Sequence, residues 1–272
     1  MLSVILVQHN NVGLTKQAIE SFRAAVQTES EIILVDNAST EAQARTTFVN
    51  EQSVECIFNN ENLGFGKANN LAAGKARGDI LLFLNNDTIS TMDFVTPVLK
   101  EFKDDASLGI AGPRLLNADG SFQLSGGDLP TIAVEARDKI VYGLVDRKNT
   151  AVREYAERQS LRNRKVEWVT GAALFIRAEL FKRLGGFDER FFMFFEDKDL
   201  CLRARKEGSS VRYIPEASVV HLRGGSTGGL SKRIKAIYRN SQKAYYEKHR
   251  PWHERFLLNA YLSITSEEGP ST

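Results

Sequence analysis

Short runs that are apolar at nearly every position alternate with segments in which apolar residues recur every three or four positions. The runs "SVILVQ" (3–8), "EIILVD" (31–36), "VECIFN" (54–59) and "DILLFLNND" (79–87) are rich in aliphatic and β-branched residues. A run without a polar face reads as a strand covered on both sides, as parallel strands are. Between the first two, "GLTKQAIESFRAA" (13–25) spaces Leu14, Ala18, Ile19 and Phe22 at helical intervals, with Thr15 near its start. "GFGKANNLAAGKAR" (64–77) reads as a small-residue helix stopped by Gly78. Strands alternating with helices predict a parallel sheet with right-handed crossovers.

The second half has another rhythm. "SLGIAGPRLLNADGSF" (107–122) predicts a strand and a turn, and residues 123–165, charged and weakly periodic, read as an insertion with helical pieces. "WVTGAALFIRAELFKRLGGF" (168–187) predicts a strand, then a helix ended by Gly185-Gly186. "EDKDLCLRARKEG" (196–208) is an amphipathic helix with Leu200, Leu202 and Ala204 inward. "SVRYIPEASVVHLRGGSTGG" (210–229) is strand-like and then glycine-rich. With no internal repeat and no long linker, the chain reads as one α/β domain over 1–230, halves 1–115 and 116–230, followed by a basic helical extension over 231–272.

Composition narrows the classes. The 272 residues, 42% hydrophobic and 26% charged, suffice for a core, and a net charge of +2 speaks against nucleic acid as the main partner. Cys56 and Cys201 are far apart and in no metal-type spacing, which reads as free thiols in a reducing compartment. No stretch reaches the ~18–20 apolar residues of a membrane span. The start "MLSVILVQHNN" turns polar too soon for a signal peptide, so a cytoplasmic protein is expected.

Each early run ends in polar residues: Gln8-His9-Asn10, Asp36-Asn37-Ala38-Ser39, Asn59-Asn60 and Asn85-Asn86-Asp87. Asn and Asp also form turns and cap helices. In a parallel sheet, however, all four clusters fall on the carboxyl edge, where open α/β sheets bind ligands. "GFGKAN" (64–69) matches half of a dinucleotide fingerprint but has Asn69 at its third glycine position and does not follow the first strand. Its glycines read instead as permitting a tight turn and a close backbone approach to a ligand. Glu196, Asp197 and Asp199 follow the aromatic "FFMFF" (191–195), which would desolvate at least one carboxylate and raise its pKa toward useful base strength. His221 ends another apolar strand before "RGGSTGG" (223–229), whose glycines would allow a lid.

Together these segments resemble the family 2 glycosyltransferases of GT-A fold, and within them a bacterial rhamnosyltransferase-like branch. The resemblance runs from about residue 3 to 250 and rests on "VDNAST" (35–40), "NENLGFGKANN" (60–70), "GDILLFLNNDT" (78–88), "TGAALFIRAELFKRLGGFDERFFMFFEDKDLCLRARKEG" (170–208) and "HLRGGST" (221–227). It implies a Rossmann-like nucleotide-binding domain with a mixed central sheet and a C-terminal helical extension. It also implies an enzyme that transfers a sugar from a nucleotide-sugar donor with inversion, in cell-surface polysaccharide synthesis. Asp36 would accept the N3–H of a pyrimidine base, with His9, Asn10 and Asn37 lining the base and ribose pocket. Gly64, Lys67 and Asn69 would approach the nucleotide and diphosphate. The family's Asp-x-Asp appears here as Asn85-Asn86-Asp87, leaving Asp87 and His221 to hold Mg2+ or Mn2+ and the two amides to meet sugar or ribose hydroxyls. Asp197 would be the general base, Glu196 its support or an acceptor contact, and Asp199 a helix cap.

The resemblance implies dTDP-rhamnose as first donor, with UDP-hexoses and UDP-galactofuranose behind it, and a glycan or polyprenyl-diphosphate-linked acceptor. A nucleotidyltransferase would want a glycine-rich basic signature after the first strand, which "QHNNVGLTK" (8–16) lacks. A non-catalytic nucleotide-sugar-binding protein would not need Asp87, Asp197 and His221 together. Residues 221–256 hold nine Lys/Arg against two acids, so segment 231–256 is expected either to pack through its aromatics or to meet anionic lipid.

Overall fold

The structure, a computed structural model, describes residues 1–49, 53–146, 157–158, 160–162, 164–222 and 232–266. Strand β1 (Leu2–Gln8), helix α1 (Val12–Ala25), β2 (Ser30–Asn37), α2 (Thr46–Val49), β3 (Val54–Asn59), α3 (Phe65–Ala73) and β4 (Ile80–Leu84) succeed one another. The four strands pair in parallel in the order β3-β2-β1-β4. Alternate residues of each run feed two different cores. Val4, Leu6, Ile32 and Leu34 join Ala18, Ile19 and Phe22 of α1, whereas Ile5, Ile33 and Val35 join Ala68 and Ala72 of α3. Cover on both faces is the reason the runs lack a polar alternation.

Helix α3 is shorter than its sequence pattern suggested. It ends at Ala73 with Gly74 as its cap, and turns of the 3₁₀ type follow through Lys75 and Ala76. Glycine is a poor helix former, so propagation fails there, before Gly78 is reached. Gly78 instead lies against β1, where an added Cβ would stand 2.6 Å from the Ser3 nitrogen.

The chain continues through β5 (Thr88–Ile89), α4 (Val95–Asp104), β6 (Leu108–Leu116), β7 (Phe122–Gln123), β8 (Gly126–Gly127) and α5 (Ile132–Asp146). Then come β9 (Arg164–Lys165), β10 (Trp168–Val169), β11 (Ala173–Arg177), α6 (Ala178–Arg183), α7 (Glu196–Lys206), β12 (Ser210–His221), α8 (Lys232–His249) and α9 (Trp252–Ser266). Beyond β4 the sheet runs β11-β6-β12-β5. β11 is antiparallel to β4 and to β6, while β12 is parallel to β6 and antiparallel to β5. The fold is therefore α/β with a mixed central sheet and C-terminal helices, as expected. Both cysteines are free thiols.

Helices α8 and α9 close a third core. Tyr245, Tyr246, Leu258 and Leu262 pack on Phe191, Phe195 and Leu129. Part of the basic character of segment 231–256 is used internally: Lys248 and His249 meet Asp199, and Arg250 pairs with Glu254. Asp199 does not cap its helix. One carboxylate oxygen accepts from Arg203 Nε at 2.7 Å, and the other from Lys248 Nζ and from His249 Nε2 at 2.7 Å. Burial works to raise its pKa, but the hydrogen bond from His249 and the charges of Arg203 and Lys248 outweigh it and hold the carboxyl low.

Removing this carboxylate would leave the largely buried Arg203 without its acidic partner and Lys248 with Asp188 alone. Asp199→Ala should therefore cost about 3–5 kcal/mol of stability by denaturant unfolding. Because the folded pKa is depressed, the native carboxylate's contribution is present above the ordinary Asp range and fades as pH falls through it, a dependence that Asp199→Asn should lose.

Candidate active site

All four polar clusters lie at the carboxyl ends of parallel strands, on one edge. Register pairs Gln8 with Asp36, and the Gln8 amide donates to Asp36 Oδ2 at 2.7 Å while the Ser39 N–H donates to Oδ1 at 2.9 Å. Each carboxylate oxygen keeps a lone pair for a ligand N–H. His9 Nδ1 lies 2.9 Å from the Asn37 carbonyl oxygen. The Asn10 side-chain oxygen accepts from Thr40 N at 2.8 Å, tying the first loop to the second.

The Asn37 side-chain amide is engaged within the protein. Its NH2 donates to Asn62 Oδ1 at 2.9 Å and to the Gly64 carbonyl at 3.2 Å, and its oxygen accepts from Asn59 Nδ2 and Leu63 N, both at 3.0 Å. Two donors and two lone pairs are all this amide has. Its capacity is engaged in fixing the 59–64 loop.

Gly64 serves the protein's own packing as well. At φ 81° an added Cβ would stand 2.4 Å from the Phe192 carbonyl oxygen, which accepts the Phe65 N–H at 2.7 Å. The glycine lets α3 dock on the aromatic segment before α7. Asn70, which the sequence did not single out, completes that docking by exchanging two hydrogen bonds with the Phe187 backbone, at 2.8 and 2.9 Å. Buried Asn69 donates to the Phe65 carbonyl at 2.9 Å, and half-exposed Lys67 lies 3.9 Å from Glu189.

At the end of β4, pairing of β12 with β5 sets His221 opposite Thr88 and brings its Nε2 to 3.1 Å from Asp87 Oδ1. The Gln123 amide donates to Asn117 Oδ1 at 2.9 Å and to the His221 carbonyl at 3.2 Å. Its oxygen therefore faces His221 Nδ1, at 2.6 Å, and can only accept. Nδ1 therefore carries a proton, and in the neutral ring it is Nε2, facing Asp87 and 3.2 Å from Asn85 Nδ2, that offers a lone pair. An imidazole lone pair beside a carboxylate is a fit for a divalent cation, and a partner on the far ring nitrogen is the usual means of fixing that tautomer. Among the described residues no third His, Cys, Asp or Glu joins them. A bound cation would draw its other ligands from diphosphate oxygens and water, as Mg2+ or Mn2+ does. Asn86 is buried and donates to Thr15 Oγ1 at 3.0 Å. The glycine-rich segment 223–229 lies outside the described residues.

The third group enters from α7. Phe194 and Phe195 both have positive φ, 73° and 67°, a strained state for aromatic residues. Ring contacts from Tyr238 and Tyr245 and a hydrogen bond from Ser241 Oγ to the Met193 carbonyl hold the turn. It delivers Glu196 and Asp197 at the start of the helix, both buried. Asp197 accepts from Gly171 N at 3.1 Å and Lys198 N at 2.8 Å. Glu196 Oε2 has no hydrogen-bond partner among the described residues. Burial first, and then the Asp197 charge, push its carboxyl up to about 8.

Residues 171–172 join the two ends. Gly171 N donates to Asp197, and the Ala172 carbonyl accepts the Asn85 N–H at 2.9 Å. The sequence reading missed Gln123, Asn70 and Gly171 as site residues. Gln123 begins the stretch read as an insertion, and no local pattern marks it; Asn70 and Gly171 lie within quoted motifs but act through contacts distant in sequence.

Residues 3–185 match the family described as Glycosyl transferase family 2, and residues 133–262 match Glycosyl transferase family group 2. An N-acetylglucosaminyl-diphospho-decaprenol L-rhamnosyltransferase of Mycobacterium tuberculosis is 25% identical over 98% of this chain and 92% of its own. Rhamnosyltransferase WbbL of Escherichia coli K12 is 25% identical over 81% of this chain and 83% of its own. The fold is similar to that of GalNAc-T7 solved with UDP, GalNAc and Mn2+, with a TM-score of 0.66 at 16% identity over 99% of this chain and 51% of that one. With the family match running from β1 through α6, this chain belongs to the family 2 glycosyltransferases and has their GT-A fold.

Proposed function

We propose that the protein is an inverting glycosyltransferase that moves a sugar, with dTDP-rhamnose the first donor to test, onto a hydroxyl of a lipid-linked glycan in cell-surface polysaccharide synthesis. The observation that carries the reading is the link through residues 171–172, which ties the Asp87/His221 end to Asp197. Two relatives named as rhamnosyltransferases support the donor, and one named for a decaprenol-linked substrate supports the acceptor. Asp36 would read the base, with His9 and Asn10 beside it, Asn37 holding the loop that carries Gly64, and Lys67 and Asn69 on the diphosphate side.

The chemistry follows from how the two carboxyls differ. Glu196, driven upward by burial, keeps its proton at neutral pH, whereas Asp197 presents its oxygens to two backbone N–H donors. Asp197, oriented by two backbone N–H groups, would take the acceptor's hydroxyl proton as that oxygen attacks the anomeric carbon opposite the diphosphate. Glu196 can donate a hydrogen bond to the acceptor. Asp87 and His221 would hold the Mg2+ or Mn2+, which when bound neutralises charge gathering on the leaving diphosphate. A single displacement needs no nucleophile on the enzyme.

A donor panel scored by nucleoside diphosphate release should reveal turnover with a dTDP- or UDP-sugar, lost in excess EDTA and restored by Mg2+ or Mn2+. Full turnover under chelation would remove the metal from the scheme, and no release from any donor would overturn the reading. Asp197→Asn should lower kcat by ~10²–10⁴ with donor affinity nearly unchanged. Near-normal kcat in Asp197→Asn together with loss in Glu196→Gln would exchange their roles.

Glu196 also gives a prediction on stability. Its folded pKa lies above its unfolded one, so between them the folded state holds the extra proton and stability falls as pH rises. Denaturant unfolding from about pH 5 to about pH 8 should find Glu196→Gln gaining on the native protein, by at most roughly 1.4 kcal/mol per pH unit. Parallel stability profiles for the two proteins would place the carboxyl in the ordinary range.

A further inference from the structure

Helix α9 is apolar on two sides. Leu258 and Leu262 face inward and pack on the aromatic segment before Glu196. The opposite side carries Trp252, Phe256, Ala260 and Ile264 at successive four-residue steps, with Leu257 and Tyr261 alongside. Trp252 is 71% exposed, Phe256 66% and Ile264 72%. Ile140 and Val141 of α5 are exposed as well, and Lys139 of the same helix donates to Tyr261 OH at 2.8 Å with its ammonium over that ring. A surface helix normally has one apolar stripe. This one has a second, on which Trp252, Phe256 and Ile264 remain largely exposed.

We propose that the outer face of α9 docks the protein on an anionic lipid surface. Its role in catalysis rests on the lipid-linked acceptor proposed above, whereas the binding itself needs neither donor nor acceptor. Two features favour lipid over a second copy of the chain. Trp, Tyr and a neighbouring Lys are the residue types that suit the boundary between headgroups and acyl chains. Charge agrees: across α8 and α9 the exposed cations are Lys232, Arg233, Lys235, Lys243 and Arg255, against one exposed acid, Glu247. Two such surfaces would repel each other, whereas an anionic bilayer attracts them. The inner side of the same helix packs on Phe191 and Phe195, so the docked layer lies directly behind the turn that delivers Asp197.

The test is flotation of the full chain with vesicles of phosphatidylcholine and phosphatidylglycerol, and with phosphatidylcholine alone. The protein should float with the anionic vesicles, and brominated acyl chains should quench fluorescence that is absent in Trp252→Phe. The pair Trp252→Ser and Phe256→Ser, both at exposed positions, should keep the native Tm and lower vesicle partition by about tenfold or more. Reversing Lys232, Arg233 and Lys235 to Glu, or raising salt, should weaken binding to a lesser degree. If that reversal abolishes binding while the serine pair does not, the basic helix is the contact and the proposal is overturned. Failure of the native protein to float overturns it too, as does self-association in the ultracentrifuge that the serine pair abolishes without any vesicle binding. Transfer to a short soluble acceptor, assayed on the same preparations, separates the two readings. Transfer without docking sinks this proposal alone, and docking without transfer sinks the catalytic one alone.

Discussion

The arrangement of the site depends on one insertion in the sheet. β11 lies antiparallel between β4 and β6, so its entry, Gly171-Ala172, runs beside the end of β4. Backbone groups that would otherwise be orphaned at a strand end are satisfied there by Asn85 and by the Asp197 carboxylate. A requirement of hydrogen-bond satisfaction thereby fixes the spacing between two clusters more than a hundred residues apart in sequence. Gly171 tolerates this crowding; an added Cβ would lie 3.3 Å from the Phe65 ring and 3.7 Å from Asp197 Cβ.

Strain and burial are concentrated around the same place. The left-handed Phe194 and Phe195 are conformations that cost about 1–3 kcal/mol each, and they persist because aromatic packing from α8 over-determines them. Asp199, three residues into the helix, is tied by Lys248 and His249 to the same α8. The C-terminal helices are thus part of the machinery that aims Glu196 and Asp197. Their packing explains why residues distant from the strand-end edge share a core with the turn that carries these two acids.

Electrostatics divides the site into unlike halves. The Asp87/His221 end has its tautomer set by the Gln123 carbonyl and its carboxylate aimed at a lone pair, an arrangement suited to a cation. The Glu196/Asp197 end combines one carboxyl pushed upward by desolvation with one held by two N–H donors. Neighbouring acids in different surroundings take different protonation states, and that difference, not the number of acids, assigns their chemistry.

The parallel half was legible from sequence because its inner strands are buried on both faces, which leaves apolar runs that need no partner to be recognised. The polar strand ends were legible too, since chain polarity alone puts them on one edge of a parallel sheet. Sequence did not decide what those polar residues touch. Asn37 and Gly64 stood out as polar and glycine positions at the strand ends, and their partners within the protein are the 59–64 loop and Phe192. Asp199 looked like a cap and is the centre of a buried ion cluster. Gln123 carried no mark at all. In each case a deciding contact joins residues with no periodic relation in the chain, Asn37 with the 59–64 loop, Asp199 with α8 and Gln123 with β12, and such contacts exist only once the chain has folded. Local periodicity determines which residues face inward; only tertiary pairing determines which polar groups meet there, because a hydrogen bond depends on a position and an angle that no local pattern contains.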